Sequence, residues 1–144
     1  MASPDPFHLQ RFIDAQDGVF NQALSEIRAG RKQSHWMWFV FPQLAGLGRS
    51  ATAQYFGIRS YEEAQAYLEH PILEPRLTQA TEAAWAWSDR RTAEEIFGSV
   101  DAMKLRSCLT LFSEVALTDL FDRALQAFFR APDEHTLALL QQSR

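Results

Sequence analysis

The chain has 144 residues, 47% of them hydrophobic and 22% charged, with no repeat and no low-complexity segment, which is the size and balance of one globular domain. Its single cysteine, Cys108, excludes an intramolecular disulfide, and a net charge of -4 argues against a general nucleic-acid binder. No apolar run has the length of a membrane span, and MASPDPFHLQ lacks the basic-then-apolar order of a secretion signal, so a cytoplasmic protein with no membrane partner is expected.

Helical signals then follow one another along the chain. Asp5-Pro6 reads as an N-cap followed by proline in the first turn, with Leu9, Phe12 and Ile13 sharing a face. Asp17 is the candidate cap of a second helix whose Phe20, Ala23, Leu24 and Ile27 recur at helical spacing, and Gly30 stops it. Trp36 to Phe41 is apolar throughout and ends at Pro42; periodicity leaves it open between a helical turn and an extended segment. Gln43 to Thr52 reads as a loop, with Ser50 or Thr52 capping a short helix to Phe56. Ser60 and Glu63 form a capping box that opens a helix bearing Tyr61, Ala64 and Leu68, and His70-Pro71 breaks it. Leu73, Leu77, Ala80, Ala84 and Trp87 make the stripe of a long helix, and Thr92 to Phe97 a short one ended by Gly98. Asp101 is expected to cap the strongest helix, with Leu105, Cys108, Leu109, Phe112, Val115 and Ala116 on one face. Phe121, Ala124, Leu125 and Phe128 mark another, and Asp133 caps a last one with Leu137 and Leu140. The expectation is an all-α, compact multihelical single domain over residues 1–144, with about eight helices.

Charge is unevenly spread. From Ile27 through Tyr61 there is no acid, while Arg28, Arg31, Lys32, Arg49, Arg59 and His35 fall there; fourteen of the eighteen acids lie beyond residue 60. Such asymmetry suits an anion-facing region, or cations that pair with the other half of the chain. The standard chemical signatures are missing. The four histidines, His8, His35, His70 and His135, have no metal-ligand spacing, so no metal is expected. LAGLGRSAT holds two close glycines but neither a dinucleotide fingerprint nor a P-loop, and no cofactor is expected; Arg49 and a helix start at Ser50 would still favour an anion. Cys108 lies on an apolar helix face, where a thiol is a small hydrophobe.

The stretch SHWMWFVFPQ, just after RAGRK, offers flat apolar faces, an imidazole and an amide beside cations. Those are the parts of a pocket for a planar anionic molecule, and equally the parts of a core whose polar groups bond to backbone.

The string ALSEIRAGRKQSHWMWFVFPQLAGLGRS resembles the signature of the DUF1810 proteins, a group of mainly α-helical bacterial proteins without an assigned activity. EEAQAYLEHPILEPRL, IFGSVDAMKLRSCLTLF and DEHTLALL fit as well, so the likeness runs over nearly the whole chain. Members commonly carry glycine before the proline-arginine-leucine piece; here that position is Glu74, which puts a tight turn there in doubt. The resemblance implies that Arg31, Lys32, His35, Trp36, Trp38, Pro42, Gln43, Gly46, Gly48 and Ser50 converge, with Asp101, Lys104 and Thr110 in a later block.

The functional expectation is one pocket for a small anionic, phosphorylated or nucleotide-like ligand, of the ADP-ribose type for example. Arg31, Lys32, Arg49 and Ser50 would hold negative charge, Trp36 or Trp38 would stack, and His35 and Gln43 would orient the ligand. His35 is also the candidate acid or base of a hydrolase-type activity, imidazole being the side chain that changes charge near neutral pH. The alternative is a non-catalytic interaction module, its protein partner unspecified, in which the tryptophan-rich segment is only core.

Overall fold

The helix with the richest apolar pattern organises the others. α8 (Ser99–Val115) buries nine residues, among them Leu105, Cys108, Leu109, Leu111 and Phe112. Cys108 is sealed in this face, and burial pushes its thiol well up, so it stays protonated. α8 packs against α3 (Met37–Val40), α5 (Tyr61–Glu69), α7 (Ala93–Phe97), α9 (Leu120–Phe129) and α10 (Glu134–Ser143). A second centre is α6 (Leu73–Trp85), which lies against α2 (Phe20–Arg28), α5 and α9. α1 (Gln10–Gln16) rests on α3, and α4 (Ala51–Tyr55) buries no residue at all. This computed structural model describes residues 4–143, among which there are ten helices and no strand, with one isolated parallel bridge between Leu44 and Ile58.

Ten helices stand where about eight were expected; α3, a piece of four residues, is too short for a period to register, whereas the five-residue α4 falls where a short helix capped at Ser50 was expected. Three caps also differ from expectation. Asp17 ends α1 in extended conformation and does not cap α2, whose N-cap is Val19. Asp5 accepts from the backbone N–H groups of Leu9 (2.8 Å) and Gln10 (2.9 Å), so it caps α1 from a turn further upstream than the pattern implied. Asp101 lies inside the first turn of α8, which begins after Gly98, and its carboxylate serves tertiary contacts instead. The side-chain caps at Ser50, Ser60 and Asp133 form, and Thr92 with Glu95 closes a full capping box; the box expected at Ser60 stays half-made, because the Glu63 carboxylate accepts from the Arg59 N–H and from Arg11 instead. Glu74 sits in the first helical turn of α6, so no tight turn exists there.

Two buried polar knots join elements that the apolar core does not hold in register. Arg11 donates to Glu63 (2.6 Å) and to the carbonyls of Phe7, His8, Tyr55 and Gly57, tying the N-terminal turn, the end of α4 and the start of α5 together. Glu63 accepts in addition from the N–H of Arg59 (3.0 Å), so the buried charge pair is hydrogen-bonded on both sides. Gln16 donates to the Phe39 carbonyl (2.7 Å) and accepts from Arg76 (3.1 Å), and its amide also meets the hydroxyl of Tyr67. Burial pushes that phenol above its ordinary value. At the other end Thr110 donates to the Arg106 carbonyl and accepts from the Asp133 N–H, fastening the α9–α10 turn to α8.

Candidate functional site

The segment between α2 and α3 is shaped around one carboxylate. α2 stops where Gly30 takes φ of +77°, a conformation that favours glycine, and where a Cβ would stand 2.9 Å from the Trp87 ring. The chain then curls over Glu26. Its carboxylate accepts from the N–H groups of Gln33 (2.8 Å) and Ser34 (3.0 Å), from the Ser34 hydroxyl (2.6 Å) and from the indole N–H of Trp36 (2.9 Å). Burial works to raise the carboxyl, but these four hydrogen bonds outweigh it and bring it down to about 2. The anion that this loop embraces is therefore part of the chain, placed one residue before the acid-free stretch begins.

Trp36 itself is fully buried, its ring against Phe41 and Phe97, and presents no face to a ligand. Trp38 is partly exposed. The two rings are linked by charge. Lys32 Nζ lies 5.1 Å from the centroid of Trp36 and 2.8 Å from Asp101, and Lys104 Nζ lies 4.5 Å from the centroid of Trp38 and 3.1 Å from the same carboxylate. Burial acts to raise Asp101, yet the hydrogen bonds and charges of both lysines hold it below the ordinary carboxylate range. Two ammonium groups share one carboxylate, so the cluster keeps one positive charge in excess.

Beyond Lys104 is a hollow lined by Trp38, Phe41, Gln43, Ala53, Phe56 and Lys104, with a volume of about 10 Å³, room for about one water. Its lid is α4, entered through Gly48, where an added Cβ would come within 2.6 Å of Ala53 and 3.6 Å of the Gln43 amide nitrogen. The close approach explains glycine at this position better than a phosphate cradle does.

The structure thus brings Lys32, Trp38 and Gln43 of the expected set to one cluster with Asp101 and Lys104 of the later block, and adds Ala53 and Phe56. Arg31, His35 and Arg49 are exposed and do not line the hollow. Ser50 is engaged as the cap of α4, its hydroxyl accepting from the Ala53 N–H at 3.0 Å. Pro42 is buried, and Gly46 lies against Leu139 of α10. Of the cations between residues 27 and 61, Lys32 is the one that forms an ion pair among the described residues. Glu26 could be suspected from its position just upstream of a cation-rich turn; Lys104 was signalled by the family resemblance and by its i, i+3 spacing from Asp101. Among the described residues no three His, Cys, Asp or Glu side chains gather as a metal set, and no helix is long and apolar enough to cross a membrane.

Fold and cluster together define a small all-α protein whose tryptophan-bearing turn is clamped to its longest helix by a two-lysine, one-aspartate bridge. The chain belongs to the DUF1810 family of proteins of unknown function, whose sequence profile matches residues 6–140. It is similar to the crystal structure of the conserved hypothetical protein Rv1873 from Mycobacterium tuberculosis, with 47% identity, a TM-score of 0.92, and coverage of 95% of this chain and 99% of that one. No curated protein matches.

Proposed function

We propose that the protein binds a small anionic ligand with a planar part, nucleotide-like or of the ADP-ribose type, at the Trp38–Gln43–Lys104 hollow. The observation that carries this reading is the surplus ammonium of the Lys32–Asp101–Lys104 bridge, held over an aromatic face and beside a side-chain amide. In this reading the ring of the ligand takes Trp38, its negative group takes Lys104, and Gln43 sets its orientation. A hollow of about 10 Å³ admits no such ligand without opening. The first turn of α4 is suited to move aside, since none of its residues is buried, while Arg11 holds the far end at the Tyr55 carbonyl.

The reading is one of binding. The single titratable group on the hollow is Lys104, which is paired to Asp101, and His35 stands apart from it. A thermal-shift series with nucleotides, NAD derivatives and sugar phosphates tests it. A ligand at a hundred times its Kd adds about 2.7 kcal/mol of stability, a rise of several degrees for a domain of this length. Lys104→Met and Trp38→Ala should each remove that rise. No rise with any of these compounds, or a rise that both variants keep, overturns the proposal.

A further inference from the structure

A second concavity, unrelated to the hollow, opens where α5 and α8 end. Its volume is about 360 Å³, within the range of small-molecule sites. Phe121 and Val115 form its floor, Tyr61 and Leu68 one wall, and Leu117, wholly exposed on the α8–α9 turn, its rim. An apolar side chain left so exposed beside a concave surface gains by being covered.

Its charge has one sign. Glu69 and Glu74 line it, and no lysine, arginine or histidine does. Among the described residues neither carboxylate has a cation within ion-pair distance. Glu74 accepts one hydrogen bond, from the Thr78 hydroxyl at 3.0 Å. Glu69 stands in the last turn of α5, where a carboxylate meets the negative end of its own helix and costs stability. The C-terminal end of α8, at Val115, is negative as well. Two negative helix ends and two carboxylates without an ion pair therefore face a largely apolar, aromatic-floored groove; Glu74 is favoured by the positive N-terminal end of α6, and Glu69 is the one that its own helix opposes.

We infer that this groove binds a small organic cation: a molecule with an ammonium or guanidinium head and an apolar, ring-sized body. The head sits between Glu69 and Glu74, and the body lies on Phe121 beneath Leu117. The charge preference is opposite to that of the Trp38 hollow, so the two sites stand or fall separately.

Tryptamine, tryptophol and indole-3-acetate share one ring and nearly one size, and differ in carrying a positive, a neutral or a negative tail. Each is titrated into the full chain, followed by the amide resonances of Gln65, Leu117 and Thr118 and by calorimetry. Tryptamine should shift those resonances, bind about fivefold to tenfold more tightly than tryptophol at low salt, and lose that margin in Glu69→Gln with Glu74→Gln. Indole-3-acetate should bind most weakly. Leu117→Ser, a change at a fully exposed position, should weaken tryptamine and tryptophol alike and serves if the double variant does not fold. Equal binding of all three compounds, shifts confined to other residues, an unchanged margin in the variants, or no binding of tryptamine overturns the inference.

Discussion

Trp36 and Trp38 stand two residues apart and have opposite surroundings. Trp36 is enclosed, its indole N–H spent on Glu26 and its ring among Phe41 and Phe97. Trp38 lies at the edge of a hollow, with an ammonium above its ring. One turn of helix, α3, rotates the first side chain inward and the second toward α4. A dense aromatic run can thus be core and site wall at once; both rings carry an ammonium, and the carboxylate on the indole N–H is what sets Trp36 apart. A carboxylate that accepts from an indole N–H fixes a ring in place, whereas an ammonium over a ring face leaves the rest of that face for another occupant.

The comparison breaks most sharply at Trp36. Trp36→Ala removes a large side chain from a sealed position and leaves Glu26 short of a donor, so it should cost about 3–5 kcal/mol in urea unfolding. A loss below about 1 kcal/mol would place Trp36 outside the core.

Next in size is Glu26. Glu26→Ala leaves the Trp36 indole N–H and the Ser34 hydroxyl without their acceptor and should cost about 2–3 kcal/mol; Glu26→Gln, which keeps an acceptor oxygen, should cost about half as much. The effect depends on pH in a defined direction. The folded carboxyl titrates at about 2 against an ordinary 4.5, so the charged form is favoured by folding. Its contribution is complete above about pH 4.5 and disappears as pH falls toward 2. The gap in urea midpoint between the wild type and Glu26→Gln should therefore be constant from pH 5 upward, on the order of the ordinary carboxylate range, and close on acidification. A gap that persists at pH 2 would show that shape, not charge, sets the role of Glu26.

What the sequence displayed and what it hid follow one physical division. Apolar periodicity placed Phe20, Ala23, Leu24 and Ile27 on the buried face of α2, and Leu105, Cys108, Leu109 and Phe112 on that of α8, because a helix face is a local pattern. Side-chain caps at Ser50, Ser60 and Asp133 were legible for the same reason. Asp101 had the composition of a cap and the position of one, yet its partner Lys32 lies on a different element. Arg11 and Glu63 are separated by 52 residues, and nothing in the neighbourhood of either announces the other. In the candidate site, Trp38 and Gln43 were legible as members of an aromatic, polar-flanked run. Phe56 and Ala53 were not, because the folding of α4 over that run is a tertiary event held by Gly48 against Ala53.

Trp38→Ala sharpens the comparison from the other side. Loss of a partly exposed ring at the edge of a one-water hollow should cost about 1 kcal/mol or less in stability, far below Trp36→Ala, while abolishing any thermal shift by the anionic ligands. Equal losses for the two tryptophans would make Trp38 core as well.

The smallest expected effect separates the cations. Lys32 is part of the bridge on Asp101, with its side chain 8% exposed, so Lys32→Ala should weaken the fold measurably, by about 1 kcal/mol. Arg31 is its neighbour in sequence but exposed, and its backbone N–H already serves the end of α2 by donating to the Glu26 carbonyl (3.1 Å). Arg31→Ala leaves that bond intact and should move stability by less than about 0.5 kcal/mol. If it also leaves ligand-induced shifts unchanged, the positive charge that matters to an anion is that of Lys104, held by tertiary contact, and not the run of basic residues that first drew attention to this turn.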